Sequence, residues 1–281
     1  MWTIGDVRVT EIAELTTTSA AHWLLPDATA DRIREIEWLV PHYATAEGKV
    51  HMTIRALVIE SEGRRIVVDT CLGNDKQRPV EAWNQRSGPF LDDLTAAGFA
   101  PETIDTVLCT HLHVDHVGWN TRLVDGAWVP TFPNARYLFA QAEWEHWQRN
   151  DAGMDAELRA DSIQPVLDAG LVDLIATDAR LTGEVSLTPT PGHTPGHVSV
   201  LIESGGERAV ITGDLSHMVC QAAHPEWGSS FDVDPTQAEA TRRAFFADWA
   251  DTGHVVLGTH WEPCAGHVRS DGTVWRIEPA T

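Results

Sequence analysis

The chain has 281 residues, 43% of them apolar, enough for a sizeable core in one large domain or two related halves. Twenty basic residues against 41 acidic ones give a formal charge of −21, which argues against nucleic acid or an anionic membrane surface as a partner. No apolar run approaches the ~18 residues of a membrane span, Met1 to Asp6 show no leader pattern, and Cys71, Cys109, Cys220 and Cys264 are too scattered for a disulfide framework, so a reducing cytoplasm is expected.

Residues 2–14 read as one or two short strands. Residues 15–50 are less regular and read as a lid or dimer-contact segment. Within it a short helix is expected over 31–39, starting at an Asp and ended by Val40-Pro41. Strands over 51–60 and 65–69 form a hairpin about Ser61-Glu62-Gly63-Arg64. It ends on Asp69, either a turn cap or an acceptor that orients a ligand histidine. A helix opens at Pro89 and stops at Gly98. Residues 106–110 form a short buried strand containing Cys109, a core residue. Directly after it comes His111-Leu112-His113-Val114-Asp115-His116, three imidazoles and a carboxylate where a strand gives way to a turn.

A strand over 135–140 leads into a helix over 141–150, with Trp144, Trp147 and Gln148 on one face and His146 outside any site. A second helix over 155–169 is kinked or ended by Pro165, and short strands follow over 171–176 and 185–187. Thr190-Pro191-Gly192-His193-Thr194-Pro195-Gly196-His197 reads as a tight, rigid turn, suited to presenting a metal ligand without flexing. Strands over 198–203 and 208–212 form a hairpin ending on Gly213-Asp214, which echoes the first hairpin and points to an internal duplication. Asp234 caps a helix that begins at Pro235 and runs to about residue 251, with Phe245 and Trp249 facing the core. Strands over 254–258 and 274–277 close the chain, and Thr259-His260-Trp261 follows the first of them. The alternation favours a layered α/β architecture.

His111, His113, Asp115, His116, His193, Asp214 and His260 all sit at strand ends or in Gly/Pro turns. Imidazole and carboxylate suit borderline divalent metals, Zn²⁺ first, with Mn²⁺, Fe²⁺ or Co²⁺ accepted by the same donors. One metal needs about three or four protein ligands, so these residues suit a pair about 3.5–4 Å apart. Such a pair brings a water to ionisation near neutral pH. No G-x-S-x-G elbow offers a side-chain nucleophile instead. Loop tryptophans Trp23, Trp38, Trp83, Trp119, Trp227 and Trp261 point to an apolar or aromatic group on the substrate.

H-x-H-x-D-H, P-G-H, G-D and a late strand-end His, in that order over about residues 50–280, resemble the metallo-β-lactamase superfamily. The runs Asn120…Phe132-Pro133-Asn134-Ala135, Gly213-Asp214-Leu215, Asp234-Pro235 and Thr259-His260…Pro263…Gly266-His267 are similar to methyl parathion hydrolase and its cousins, the dinuclear quorum-quenching lactonases. The resemblance implies one α/β domain over 1–281, an αββα sandwich of two mixed sheets with helices on the outer faces. It implies that His111, His113 and His193 hold one metal and Asp115, His116 and His260 a second. Asp214 would bridge them beside a water or hydroxide that attacks the substrate. The implied substrate is a small lactone or carboxyl ester, or in some members a phosphotriester. A homodimer is implied too.

Asp115 is the candidate proton shuttle. His217 stands where some lactonase relatives carry Tyr, three residues after the bridging Asp; it either donates a hydrogen bond to the substrate or is an ordinary loop His. Thr70-Cys71-Leu72-Gly73 departs from the usual Thr-Gly after the strand-end Asp. A thioesterase of the glyoxalase II type shares these motifs but would call for a basic patch near the C-terminus, where only Arg269 and Arg276 stand. A non-catalytic binding protein on this fold would be expected to have lost ligands, and none is missing.

Overall fold

A computed structural model of the protein describes residues 1–149 and 155–280. The chain begins with β1 (Trp2–Ile4) and β2 (Val7–Ala20), paired antiparallel about Gly5. β2 runs 14 residues, well past the expected end at residue 14, because β3 (Lys49–Ser61) pairs with it as far as Ala20. Thus the start of the 15–50 segment is sheet. The helix expected over 31–39 is instead α1 (Ala30–Arg34), capped by the Thr29 hydroxyl, followed by a single 3₁₀ turn Glu37–Leu39. The capping hydroxyl lies two residues upstream of the Asp that the sequence reading chose.

β3 turns into β4 (Arg64–Val68), and α2 (Phe90–Ala96) leads to β5 (Thr106–Leu108), parallel to β4. A small separate hairpin, β6 (Thr121–Val124) and β7 (Ala127–Pro130), turns on Asp125-Gly126, both at positive φ. Such a two-residue loop matches the twist of the flanking strands. β8 (Arg136–Ala140) follows, then α3 (Gln141–Arg149); the expected last residue of that helix, Asn150, lies outside the described residues. On α3 the buried face is Glu143, Trp144 and Trp147, with Gln148 exposed rather than sharing it. The helix expected over 155–169 breaks into α4 (Ala156–Leu158), a π-helical turn Arg159–Ile163 and α5 (Gln164–Asp168). Its irregularity therefore precedes Pro165. β9 (Val172–Ile175) completes the first half.

The second half holds β10 (Val185–Pro189), β11 (Val198–Ser204), β12 (Glu207–Ile211), α6 (Pro235–Trp249), β13 (Val255–Leu257), β14 (Ala265–Asp271) and β15 (Val274–Pro279). β14 was not anticipated from the sequence. Among the described residues one sheet has the order β1-β2-β3-β4-β5-β8-β9 and the other β10-β11-β12-β13-β14-β15. Each half carries an antiparallel hairpin followed by a parallel partner, β3-β4-β5 in one and β11-β12-β13 in the other.

The two sheets face each other across Leu57, Ile59, Ile66 and Val68 on one side and Val200, Ile202, Ala209 and Ile211 on the other. Strand alternation sends Ala56, Val58 and Val67 to the opposite face, against Phe90, Leu94, Trp144 and Val166 of the helical layer. The second sheet's outer face packs Val210, Val256 and Val268 against Phe245 and Phe246 of α6 and against Leu24, Leu25, Ile33 and Leu39 of the N-terminal segment. Helices therefore cover both outer faces of a two-sheet sandwich, and burying each large aliphatic side chain in it contributes about 1.5–3 kcal/mol. No helix among the described residues is long and apolar enough to cross a membrane.

Candidate metal centre

Loops leaving β5, β10, β12 and β13 converge at one end of the sandwich. The turn after β5 carries His111, His113, Asp115 and His116; the turn between β10 and β11 carries His193; Asp214 and His217 follow β12; and His260 follows β13. Two groups of donors form there. His111, His113, His193 and Asp214 each offer one atom within 4.8 Å of the others, as do Asp115, His116 and His260. All seven predicted ligand residues are thus brought together.

Asp214 stands between the groups. Its Oδ2 faces His111 Nε2 at 3.7 Å and His193 Nε2 at 3.4 Å, and its Oδ1 faces His116 Nε2 at 3.3 Å and His260 Nε2 at 3.1 Å. Asp115 lies 3.6 Å from His116 Nε2 and 3.5 Å from His260 Nε2. His217 Nε2 is 3.1 Å from Asp214 Oδ2, and its buried Nδ1 has no hydrogen-bond partner among the described residues.

The outward ring nitrogens settle the tautomers. His116 Nδ1 donates to Asp69 Oδ2 at 2.9 Å, His193 Nδ1 to Asp232 Oδ1 at 2.9 Å and His260 Nδ1 to the Thr53 carbonyl at 3.1 Å. The Thr110 hydroxyl donates to Asp69 Oδ2 at 2.9 Å, so it accepts from His111 Nδ1 at 3.1 Å. Each of these four rings therefore commits Nδ1 outward and turns Nε2 inward, the nitrogen left to hold a cation. His113 turns Nδ1 inward, 3.0 Å from His111 Nε2 and 2.8 Å from His193 Nε2. A proton on His113 Nδ1 could serve only one of those two lone pairs, whereas a cation among the three nitrogens serves all of them. Four ligands at about 2.0–2.1 Å around a tetrahedral zinc would hold their donor atoms about 3.3 Å apart. The spacings fit.

The electrostatics fit as well. Burial pushes His111 well below the usual imidazole range, His113 down to about 3 and His193 down to about 4, favouring the neutral form that ligates. At His116 burial also opposes charge, but Asp214, Asp69 and Asp115 overcome it and raise the ring well above its ordinary value; His260 is raised by Asp214 and Asp115 in the same way. Carboxylates outnumber imidazoles there, so the site draws in positive charge. A divalent cation supplies that charge. For Asp214, burial is outweighed by His116, His260 and His217, which hold it well below the carboxylate range.

Several supports were not read from the sequence. Asp232, its side chain fully buried, backs His193 and also accepts from the Ser229 amide at 2.9 Å. His197 Nε2 accepts from the Asp214 amide at 2.8 Å, while its Nδ1 faces Thr190. Glu143 Oε1 accepts from the Leu112 amide at 3.1 Å and Oε2 from the Gly196 amide at 3.1 Å, tying the two His-bearing turns to α3. Arg55, fully buried, donates to the carbonyls of Gly258 and Trp261 and so fixes the His260 turn. Nothing in the one-dimensional spacing distinguishes Asp232 or Glu143 from surface acids. His197 alone gave a signal, closing the same Gly/Pro turn as His193.

Above the cluster opens a cavity of about 420 Å³, walled by Leu15, Trp23, Met52, Val80, Trp83 and Phe231 and floored by His113, Asp115, Asp214 and His217. Of the six tryptophans expected to line a pocket, Trp23 and Trp83 do so; Trp119, Trp227 and Trp261 are core, and Trp38 packs elsewhere. Trp147, on the buried face of α3, joins the wall.

The chain is 33% identical over 184 residues to an N-acyl homoserine lactonase of Bacillus cereus, covering 60% of this chain and 66% of that one. A Bacillus sp. N-acyl homoserine lactonase is also 33% identical, over 129 residues. The matches span 45% to 66% of these two relatives' length. Among solved structures, the hydrolase AbOPH in the beta lactamase superfamily superposes with a TM-score of 0.80 at 27% identity, covering 100% of this chain and 96% of that one. AidC, a dizinc quorum-quenching lactonase in complex with a product, superposes with a TM-score of 0.77 over 100% of this chain and 96% of that one; at 22% identity this likeness concerns the fold alone. The metallo-beta-lactamase superfamily model matches residues 53–260, a stretch that takes in every residue of the two donor groups, and the chain belongs to that superfamily.

Proposed function

We propose that the protein is a hydrolase of small lactones or carboxyl esters that works with two divalent metals, zinc first among them. The observation that carries this reading is a single carboxylate, Asp214, shared by two groups of inward-facing donors on the floor of an apolar cavity. Two divalent cations held by those groups would polarise the scissile carbonyl and bring a water to ionisation near neutral pH. His111, His113 and His193 would hold one cation, Asp115, His116 and His260 the other, and Asp214 both. The named lactonase relatives support the substrate class.

The remaining work falls to side chains of this chain. The cavity walls exclude water and seat the apolar part of the substrate. Asp115, the more exposed of the two carboxylates at 16% against 4% for Asp214, takes up the proton released by the attacking water and returns it to the leaving oxygen. His217, at the cavity floor with Nε2 3.1 Å from Asp214 Oδ2, hydrogen-bonds the developing oxyanion or the leaving oxygen.

The test is hydrolysis by the metal-replete enzyme of an acyl-homoserine lactone, an aryl carboxyl ester and an aryl phosphotriester, compared by kcat/KM. A lactone or ester preference of about 100-fold, about 2.7 kcal/mol in transition-state binding, is expected. A phosphotriester preference of that size would move the protein to the methyl parathion hydrolase side. The variant His217→Phe should lower kcat by about 10²–10³ with metal content unchanged, the loss seen for an oxyanion donor. Unchanged kcat would make His217 an ordinary loop residue.

A further inference from the structure

Two buried cations lie away from the metal centre. Lys76 and Arg78 have side chains 0% and 2% exposed, and both turn toward Asp161 in the π-helical turn that follows α4. Arg78 makes a two-pronged pair with it, Nη1 to Oδ2 at 2.7 Å and Nη2 to Oδ1 at 2.9 Å. Lys76 Nζ donates to the Asp161 carbonyl at 3.0 Å and the Thr121 hydroxyl at 2.8 Å, and sits 3.9 Å above the Trp128 ring. Thr121 donates to the same carbonyl. Burying two cations on one carboxylate is costly, and a hydrophobic cluster of equal volume often stabilises as well or better. Burial lowers Lys76 to about 7, a measure of that cost. What such a cluster supplies that an apolar one would not is a defined position.

The position it defines is that of residues 74–88. This stretch leaves and returns at one place: the Asn74 side chain both donates to the Gly88 carbonyl and accepts from its amide, each at 2.8 Å. Gln85 donates to the Lys76 carbonyl at 2.7 Å, and the Arg78 amide to Asn84 Oδ1 at 2.9 Å. The result is a closed loop with one short 3₁₀ turn, Glu81–Trp83. Its outer part, Pro79, Val80 and Trp83, lines the cavity, where Trp83 meets Trp23 edge-on at 6.2 Å. Trp83 packs against the main core, but Val80 is 40% exposed, so this part of the wall has little core of its own to hold it. Asp161 also sits just beyond Asp155 and Leu158, which line the same cavity, and so joins two parts of its wall.

We propose that the Lys76–Arg78–Asp161 cluster is a specificity anchor, holding the 74–88 loop as a preformed wall against which the apolar group of a long-chain acyl or aryl ester packs, without contact with the reacting atoms. The inference rests on the ester-hydrolase reading and deepens it: the cluster sets which apolar groups are accepted, not the chemistry. These are positioning residues for Val80 and Trp83.

The experiment compares an acetyl and a decanoyl ester of the same phenol on the metal-replete protein and on Asp161→Asn, Lys76→Met and Trp83→Ala. Asp161→Asn and Lys76→Met should raise KM for the decanoyl ester about tenfold or more, the discrimination expected of a few apolar contacts, and leave kcat and the acetyl ester within about twofold, while Trp83→Ala, which removes part of the wall itself, should weaken the decanoyl ester more than the acetyl one. Metal content should be unchanged. Equal losses on both esters, or none on either, in the two cluster variants would overturn the proposal, and Lys76→Met, which keeps the Arg78–Asp161 pair, gives the answer if Asp161→Asn does not fold. Should the wild-type protein cleave neither ester, the hydrolase reading fails separately. Decanoate binding, followed by tryptophan fluorescence, then still decides: about tenfold weaker binding in Asp161→Asn supports the anchor, and unchanged binding rejects it.

Discussion

Asp69 and Asp232 do the same work from opposite halves of the chain. Each is a buried carboxylate accepting from the outward nitrogen of one imidazole, His116 for Asp69 and His193 for Asp232. Asp69 touches His116 directly and reaches His111 only through the Thr110 hydroxyl, so Asp69 should act first on the metal of the His116 group and Asp232 on that of the His193 group. Asp69→Asn should weaken metal binding at the Asp115/His116/His260 group by about 10–100-fold, and Asp232→Asn at the His111/His113/His193 group by a similar factor. Chelator competition with Co²⁺ as reporter would follow the two affinities separately; equal loss of both metals in either variant would refute the division. Lys76 offers a second test at this scale. Its folded value of about 7 lies below the unfolded value of about 10.4, so between those limits the unfolded chain holds a proton that the folded chain has shed. Stability therefore rises with pH in that window, by up to about 1.4 kcal/mol per unit from this group. Lys76→Met should flatten the dependence of the urea midpoint between about pH 7 and 9; an unchanged slope would mean Lys76 stays charged.

Among the elements, the loop after β4 and the turn after β5 are laced together. The Thr70 amide donates to the His116 carbonyl, Gly118 to Cys71 and Trp119 to Thr70, at 2.7–2.8 Å. Gly118 permits this approach, since a Cβ there would run into the Leu72 carbonyl. Gly118→Ala should destabilise the protein by about 1–3 kcal/mol, the usual cost of overpacking, and should loosen the metal of the His116 group first. A denaturant midpoint and metal content measured together would show it; a wild-type midpoint would mean the loop shifts freely. The same lacing explains what was legible beforehand. His111 to His116, the Pro-Gly-His turn and the Asp234 cap are local patterns, and each appears where its residues predict. The extension of β2 to Ala20 and the roles of Asp232 and Glu143 depend on partners distant in sequence, which local pattern does not encode. The β6–β7 and β14–β15 hairpins are different, since each turns at a local Asp-Gly pair, Asp125-Gly126 and Asp271-Gly272.

For the whole molecule, the donors come from both sheets. His111, His113, Asp115 and His116 leave the first sheet, and His193, Asp214 and His260 leave the second. Bound cations would therefore fasten the two halves together where several acidic side chains of a chain of charge −21 converge. Metal that binds only the folded chain adds stability by mass action, about 4 kcal/mol at a thousandfold excess over Kd. Removing metal with a chelator should lower the thermal midpoint, and restoring Zn²⁺ should recover it; a midpoint indifferent to chelator would mean that the cluster contributes nothing to holding the halves together.

The central claim is two metals sharing Asp214, and the direct measurement is anomalous scattering at the zinc edge from crystals of the zinc-loaded protein. Two peaks per chain are predicted, about 3.5–4 Å apart on either side of the Asp214 carboxylate. One should lie among His111, His113 and His193 and the other among Asp115, His116 and His260. A single peak, or two peaks that do not share Asp214, would contradict the account.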